Sequence, residues 1–258
     1  MAQGVHHNRI AWHAAPSSAL AAISVYESDE DLPAVLVPRL ETQIVVRLGA
    51  AARGGLDAHA LGGRHHVHRK PIRSGQRILV ARLRLGMHQA ILGVPASAIA
   101  GHAIALEALW GDAASRLFDR FVDAHDLVDA AAALERSISE RLAIAGAPDD
   151  HARFAMAAAE RLQTASVGVV AEELGVSTRH LRRVFREALG TSPKAYARVT
   201  RFHRALRMAR EEAHGGWASV AAAVGYYDQA HLIADFREIA GVTPRVLVDE
   251  LRAGPQIG

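Results

Sequence analysis

Arg179, Arg182, Arg183 and Arg186 follow one another at spacings of three, one and three residues, so on a helix they share one face. Each guanidinium presents a planar fork of donors and keeps its charge at any physiological pH. Such a face suits two acceptors of nucleic acid. Arginine bonds guanine O6 and N7 in bidentate fashion, at ~1–3 kcal/mol of discrimination per good pair. It also bonds phosphate, which adds affinity and salt dependence but no sequence information. Residues near a helix N-terminus enter the major groove deepest, which favours Arg179, Arg182 and Arg183 as base readers. The plainer reading is a solvated cationic face, because arginine is used freely and only Lys70 and Lys194 are lysines. Against that reading stands the local density. From Ser177 to Arg210, ten basic residues face one acid, Glu187, a strong field for a polyanion.

The element that must position these arginines is a helix from Ser177, a suitable N-cap, through Thr178 to Leu189. Leu181, Val184, Phe185, Ala188 and Leu189 form its opposite, apolar stripe. This helix belongs to a segment that occurs twice. Ala171, Gly175, Leu181, Phe185, Gly190 and Pro193 reappear as Ala221, Gly225, Leu232, Phe236, Gly241 and Pro244. The first two recur at an offset of 50 and the rest at 51, so one residue has been added inside the second turn. A short helix, a glycine turn and a longer helix make a helix-turn-helix. In the second copy the arginine positions become Ala230, Ile233, Ala234 and Arg237, while Leu232, Phe236 and Ile239 keep the anchor. Ala and Ile suit thymine methyl groups, and Gln229 or His231 can bond a base edge or a phosphate. The first copy is therefore expected to supply most of the affinity and specificity.

Val176-Ser-Thr-Arg-His-Leu-Arg-Arg-Val-Phe185, Gly190-Thr-Ser-Pro-Lys-Ala-Tyr196, Gly225-Tyr-Tyr-Asp-Gln-Ala-His-Leu232, Phe236 and Gly241-Val-Thr-Pro244 together resemble the AraC/XylS family of bacterial transcription regulators. The resemblance covers about residues 150–250, and both units, their spacing and the joining segment agree. It implies one domain whose two recognition helices enter successive major-groove segments about one helical turn apart. Carried over by position, the base-facing residues are Arg179, Arg182 and Arg183, then Gln229, Ala230, Ile233 and Ala234. Thr178, Arg186 and His231 complete the DNA-binding set. The sequence departs from the family at Ile233-Ala234, where a small polar residue and an arginine are common. The segment from Tyr196 to Glu212 resembles the family's connecting helix, whose basic residues would lie along DNA.

The rest of the chain is read more coarsely. Thr42 to Leu48 and Arg77 to Leu85 alternate or run in β-branched residues. Gly54-Gly55, Gly62-Gly63 and Ser74-Gly75 mark loop tips, and His65 to His68 is placed on an intervening strand. From Ile91 the period becomes helical, with helices over Asp112–Ala124 and Leu127–Ile144. Gly146-Ala-Pro-Asp-Asp150 stops the last of them. The expectation is an α+β protein of two domains. Residues 1–146 form a β-rich regulatory domain with trailing helices, and 147–258 form an all-α DNA-binding domain. Residues 35–125 also resemble the N-terminal sensor or dimerisation domain found in family members.

With 258 residues, half of them hydrophobic, the core needs no metal or disulfide staple. The absence of cysteine excludes thiol chemistry and cysteine-ligated zinc. No membrane span or leader is apparent, so a cytoplasmic protein without a membrane partner is expected. Phosphate-cradling, nucleophile-elbow and His-Glu-x2-His motifs are missing, and neither enzymatic activity nor a cofactor is expected. His59, His65, His66 and His68 invite a metal, but Arg69 and Lys70 follow where a carboxylate would be needed. His6-His7 lacks a partner pattern, and Trp12, Trp110 and Trp217 read as packing residues. Expected partners are double-stranded DNA, a small-molecule effector, RNA polymerase and a second copy of the chain. The alternative is a metal- or ligand-binding β-barrel enzyme with a DNA-targeting C-terminal domain.

Overall fold

The computed structural model describes residues 19–49, 55–211 and 215–254. His6, His7, Trp12, Gly54 and Glu212 lie outside them. The fold is α+β, with a β-rich N-terminal region and a helical C-terminal region. Among the described residues the strands are β1 (Leu20–Ser28), β2 (Leu32–Leu36), β3 (Gln43–Leu48), β4 (Leu56–Leu61), β5 (His68–Ile72), β6 (Gln76–Leu83) and β7 (Ala103–Ala105). An antiparallel sheet runs β1-β6-β3-β4-β7, and β2 and β5 form a separate two-stranded ribbon.

Period-2 alternation sorts the central strands onto two faces. Ile44, Val46, Leu79 and Ala81 face the main N-terminal core, and Val45, Ile78 and Val80 face the other side with Tyr26. The main core is closed by helices α1 (His88–Leu92), α2 (Ala96–Ile99), α3 (Leu106–Trp110), α4 (Asp112–Val122) and α5 (Leu127–Ala145). Asp126 caps α5 by accepting from the Val128 and Asp129 amides, and Gly146 ends it at φ +80°, as the turn residues there predict. Trp110 packs in this core and donates its indole N–H to the Ile91 carbonyl at 3.0 Å. The strand placed over His65 to His68 is corrected. β5 begins only at His68, and residues 65–67 are not in a strand, so His66 and His68 do not share a strand face. Among the described residues no group of three His, Cys, Asp or Glu could hold a metal ion, and no helix is long and apolar enough to cross a membrane.

The C-terminal region comprises α6 (Asp150–Arg161), α7 (Val167–Glu173), α8 (Thr178–Leu189), α9 (Pro193–Arg210), α10 (Trp217–Val224), α11 (Gln229–Ala240) and α12 (Pro244–Ala253). Among its contacts with the N-terminal region, two bear on the helix-turn-helix units. Around β5, Val67 N–H donates to the Ile239 carbonyl at 2.8 Å, and Arg69 grips the Glu250 carboxylate and the Ala240 carbonyl. At the second place α2 abuts the end of α8. A Cβ on Gly190, at φ +67°, would lie 2.9 Å from the Ala96 carbonyl oxygen, whereas Gly241, its counterpart at φ +73°, has open space. Both substitutions to alanine strain a left-handed position, at about 1 kcal/mol, but only Gly190→Ala also forces α2 away. Urea unfolding should show Gly190→Ala costing at least about 1 kcal/mol more than Gly241→Ala. Equal costs would mean that α2 is not seated on α8.

His88 is buried, with Nδ1 at 3.0 Å from Thr42 Oγ1, and burial holds its pKa below the ordinary 6.5 despite carbonyl partners at Pro95 and Val94. His203 is held down by burial and then by the Arg39 charge. Because these imidazoles bind protons more readily unfolded, their stabilisation is present above about pH 6.5 and is lost as pH falls through the lowered folded values. The urea midpoint should drop between pH 7.5 and 5.5, and the drop should shrink in His88→Gln/His203→Gln. An undiminished drop would assign the acid sensitivity elsewhere.

Candidate nucleic-acid interface

The two copies fold alike, for local reasons. In the first, Gly175 turns the chain at φ +66° and Val176 N–H donates to the Ala171 carbonyl at 2.9 Å. Ser177 Oγ then accepts from the His180 amide at 3.1 Å and starts α8. In the second, Gly225 turns at φ +85°, Tyr226 N–H donates to Ala221 at 2.9 Å, and Asp228 caps α11 through the His231 amide at 2.7 Å. The turn bond recurs at an offset of 50 and the cap at 51, so the added residue is Tyr227. It stands 92% exposed beside the N-terminus of α11. The sequence signalled an addition in this turn but not which residue it was.

Leu181, Val184, Phe185 and Leu189 of α8 are buried against α6 and α7. Thr178, Arg179, Arg182, Arg183 and Arg186 are all exposed. The four guanidinium groups border one surface depression of about 630 Å³, with Ser97 of α2 at its rim. Arg183 is the most constrained of them, because its Nη1 lies 3.0 Å from Glu187 one turn on. On α11, Gln229, Ala230, His231 and Ala234 are exposed, while Ile233 is half-buried against the second core. Its apolar anchor is Leu232, Phe236 and Ile239.

Asp235 does not lie among the outward positions of α11. It is 8% exposed and accepts from Arg198 Nε at 2.5 Å and from the Tyr226 hydroxyl at 2.7 Å. Burial and the Asp235 carboxylate push the Tyr226 hydroxyl upward in pKa, so it remains a donor. At about 100° per residue Asp235 falls about 40° beyond Ile239, at the edge of the Leu232–Phe236–Ile239 arc rather than opposite it, a signal that the sequence did contain. The connecting helix α9 is likewise less free than its charge suggests. Arg198 also binds Glu238, Arg201 donates to the Gly225 carbonyl and lies over the Tyr226 ring, and Arg204 donates to the Gln163 carbonyl. These three guanidiniums stitch the helical units together, which corrects the expectation that the whole basic run is available to a polyanion. Lys194, Arg207 and Arg210 are the exposed cations of α9.

Residues 170–249 match the family model described as a helix-turn-helix domain. The C-terminal region thus contains a helix-turn-helix domain. Among solved structures, a DNA-binding transcriptional dual regulator from Escherichia coli K-12 is 24% identical, covering 40% of this chain and 92% of its own, with a TM-score of 0.33. A regulator with an AraC-type DNA-binding domain from Chromobacterium violaceum is 24% identical over 41% of this chain and 100% of its own, with a TM-score of 0.36. ToxT from Vibrio cholerae with an unsaturated fatty acid bound is 9% identical, covering 95% of this chain and 100% of its own, with a TM-score of 0.45. A search of curated proteins gave no match.

In this helix-turn-helix domain the Asp235 carboxylate is the polar tie between α9 and α11. Asp235→Ala leaves Arg198 and Tyr226 without their shared acceptor in a mostly buried place, at a cost of about 2–4 kcal/mol. Asp235→Asn should cost less, since the amide oxygen still accepts. Denaturant unfolding measures both, and a loss under about 0.5 kcal/mol for the alanine variant would show the tie to be dispensable.

Proposed function

We propose that the protein is a sequence-specific transcription regulator that reads the major groove mainly through α8. The observation that carries this reading is the solvent-facing row Arg179, Arg182, Arg183 and Arg186 on a helix whose other side is locked into a helix-turn-helix core. Arg179 and Arg182 are the leading base readers, since Arg183 is engaged by Glu187. Thr178 stands at the helix start, where backbone and hydroxyl groups meet phosphate. Arg186, furthest along the helix, faces a groove wall. In α11, Gln229 and His231 offer hydrogen bonds, and Ala230 and Ile233 offer apolar contact to thymine methyls. The Asp228 cap places a negative charge at this helix start where the first unit has neutral Ser177, which supports a weaker second half-site.

The domain boundary is taken at residues 146/147, where Gly146 ends α5. The N-terminal region acts as the regulatory part, taking a small-molecule effector or a second copy of the chain. Its contacts with α8 and with the second unit favour coupling between the two functions. A regulator needs no catalysis of its own, acts in the cytoplasm and addresses RNA polymerase. The metal-binding enzyme reading has no observation in its favour.

Selection from fragmented source DNA by the full-length protein, at moderate salt, tests this function. The expected yield is a motif with one strong half and a weaker half about one turn away. Arg182→Ala should relax base preference at particular positions at ~1–3 kcal/mol, and Ala234→Arg should tighten binding. Retention independent of sequence and abolished by salt would reduce α8 to an electrostatic surface. Unchanged selection in both Arg182→Ala and Arg183→Ala would remove α8 as the reader.

A further inference from the structure

The turn of the second unit closes without any need for Tyr227. The turn bond returns to Ala171 from Val176 in the first unit and to Ala221 from Tyr226 in the second. The first unit then caps its helix with the next residue, Ser177, whereas the second interposes Tyr227 before Asp228. A tyrosine in a folded domain ordinarily buries much of its ring. Tyr226 does so in the second core, but Tyr227 stands 92% exposed. Its backbone is nonetheless fixed. The Tyr227 N–H lies 3.5 Å from Nδ1 of His231 in the first turn of α11, and Tyr226 holds the His231 ring edge-on with centroids 5.2 Å apart. A large ring with two rotatable bonds on a fixed stem loses little entropy when it is covered.

Tyr227 stands at the start of the outward row of α11. On α8 the corresponding row is Arg179, Arg183 and Arg186, and at an offset of 51 it becomes Ala230, Ala234 and Arg237, all exposed. Ala230 and Ala234 lie about 40° apart around the helix and carry neither donor nor acceptor. An aromatic ring and two methyl groups therefore lead where the first unit leads with guanidiniums. In the major groove the base edges present donors, acceptors and a single apolar group, the thymine C5-methyl. An apolar reader thus has one kind of target. Gln229, also exposed, has the amide that bonds adenine N6 and N7. Phosphate is the competing target, for the Tyr227 hydroxyl. Asp228 opposes it, because an exposed carboxylate next in the chain repels a phosphate where the first unit has neutral Ser177.

We propose that Tyr227 is a base reader, and that the second half-site consists of A·T pairs whose thymine methyls pack on the Tyr227 ring together with Ala230 and Ala234. The inference rests on the regulator reading and deepens it by naming the bases that α11 selects. It gives the second unit a chemistry of its own, contact area without charge. Binding there responds to methyl groups and little to salt, while the α8 half responds strongly to salt.

The test uses full-length protein and a duplex carrying the motif recovered by fragment selection. Deoxyuridine replaces thymidine at single positions, which removes the C5-methyl and leaves every hydrogen-bonding group. In the weak half this should lower wild-type affinity about threefold or more at each contacted methyl, read by competitive titration at fixed salt. Tyr227→Ala should bind the thymine duplex about fivefold or more weakly and lose most of the uracil effect in the weak half. Uracil in the strong half should act alike on both proteins. Tyr227→Phe keeps the ring and should keep the wild-type response. The uracil comparison on wild-type protein needs no variant, so poor folding of a variant leaves that arm decisive. A weak half without A·T preference, no cost of uracil there, an unchanged uracil cost in Tyr227→Ala, or Tyr227→Phe behaving as Tyr227→Ala (a hydroxyl on phosphate) would each overturn the proposal. In each of these cases a strong half still selected through Arg179 and Arg182 leaves the regulator reading standing. Loss of all sequence-specific retention removes both.

Discussion

The Asp235 carboxylate, enclosed between the Arg198 guanidinium and the Tyr226 hydroxyl, fixes how the second helix-turn-helix unit sits on the helix that joins it to the first. A buried charge with two good donors tolerates little displacement, because any rotation leaves it unsolvated and unbonded. The same helix α9 is tied to the first unit by the edge-to-face contact of Phe185 and Tyr196 and by Arg204 at the Gln163 carbonyl. Consequently α8 and α11 hold one mutual geometry. Successive major-groove segments have a fixed spacing along B-DNA, so a two-unit reader depends on such rigidity more than on any single outward side chain.

The N-terminal region adds a second set of constraints, on different parts of the domain. Around β5, Arg69 and Val67 hold the second unit at Glu250 and Ile239, and Val35 of β2 enters that unit's core. Helix α2 meets the first unit beside Gly190, and Ser97 borders the same depression as the α8 arginines. The two contacts give the N-terminal region a hold on both α8 and α11.

The units have diverged in charge while keeping their packing. The anchor residues Leu181, Phe185, Leu232 and Phe236 are all fully buried, which duplication of one fold demands. Outward residues are under no such demand, and there four guanidiniums stand on α8 while α11 presents Gln229, Ala230, His231 and Ala234. Positive charge therefore concentrates on one half of the domain.

The sequence by itself determined the helix-turn-helix pair, the presence of one added residue in its second turn, both apolar anchors and the exposed arginine face of α8. All of these follow from local rules of glycine turns, capping and helical period, which need no knowledge of distant residues. It also determined the helices over 112–122 and 127–145 to within a few residues, because long amphipathic segments with clear stops leave little choice. Only the tertiary structure decided which charges are spent inside the protein. Arg198, Arg201 and Arg204 read as free cations until their acceptors, 24 to 41 residues away in the chain, are brought beside them. The split of the β-region into a sheet and a separate ribbon, and the ribbon's place on the second unit, were likewise decided by long-range pairing. Strand partners and docking faces depend on contacts between segments far apart in sequence, whereas a helix and its caps are settled within a few residues.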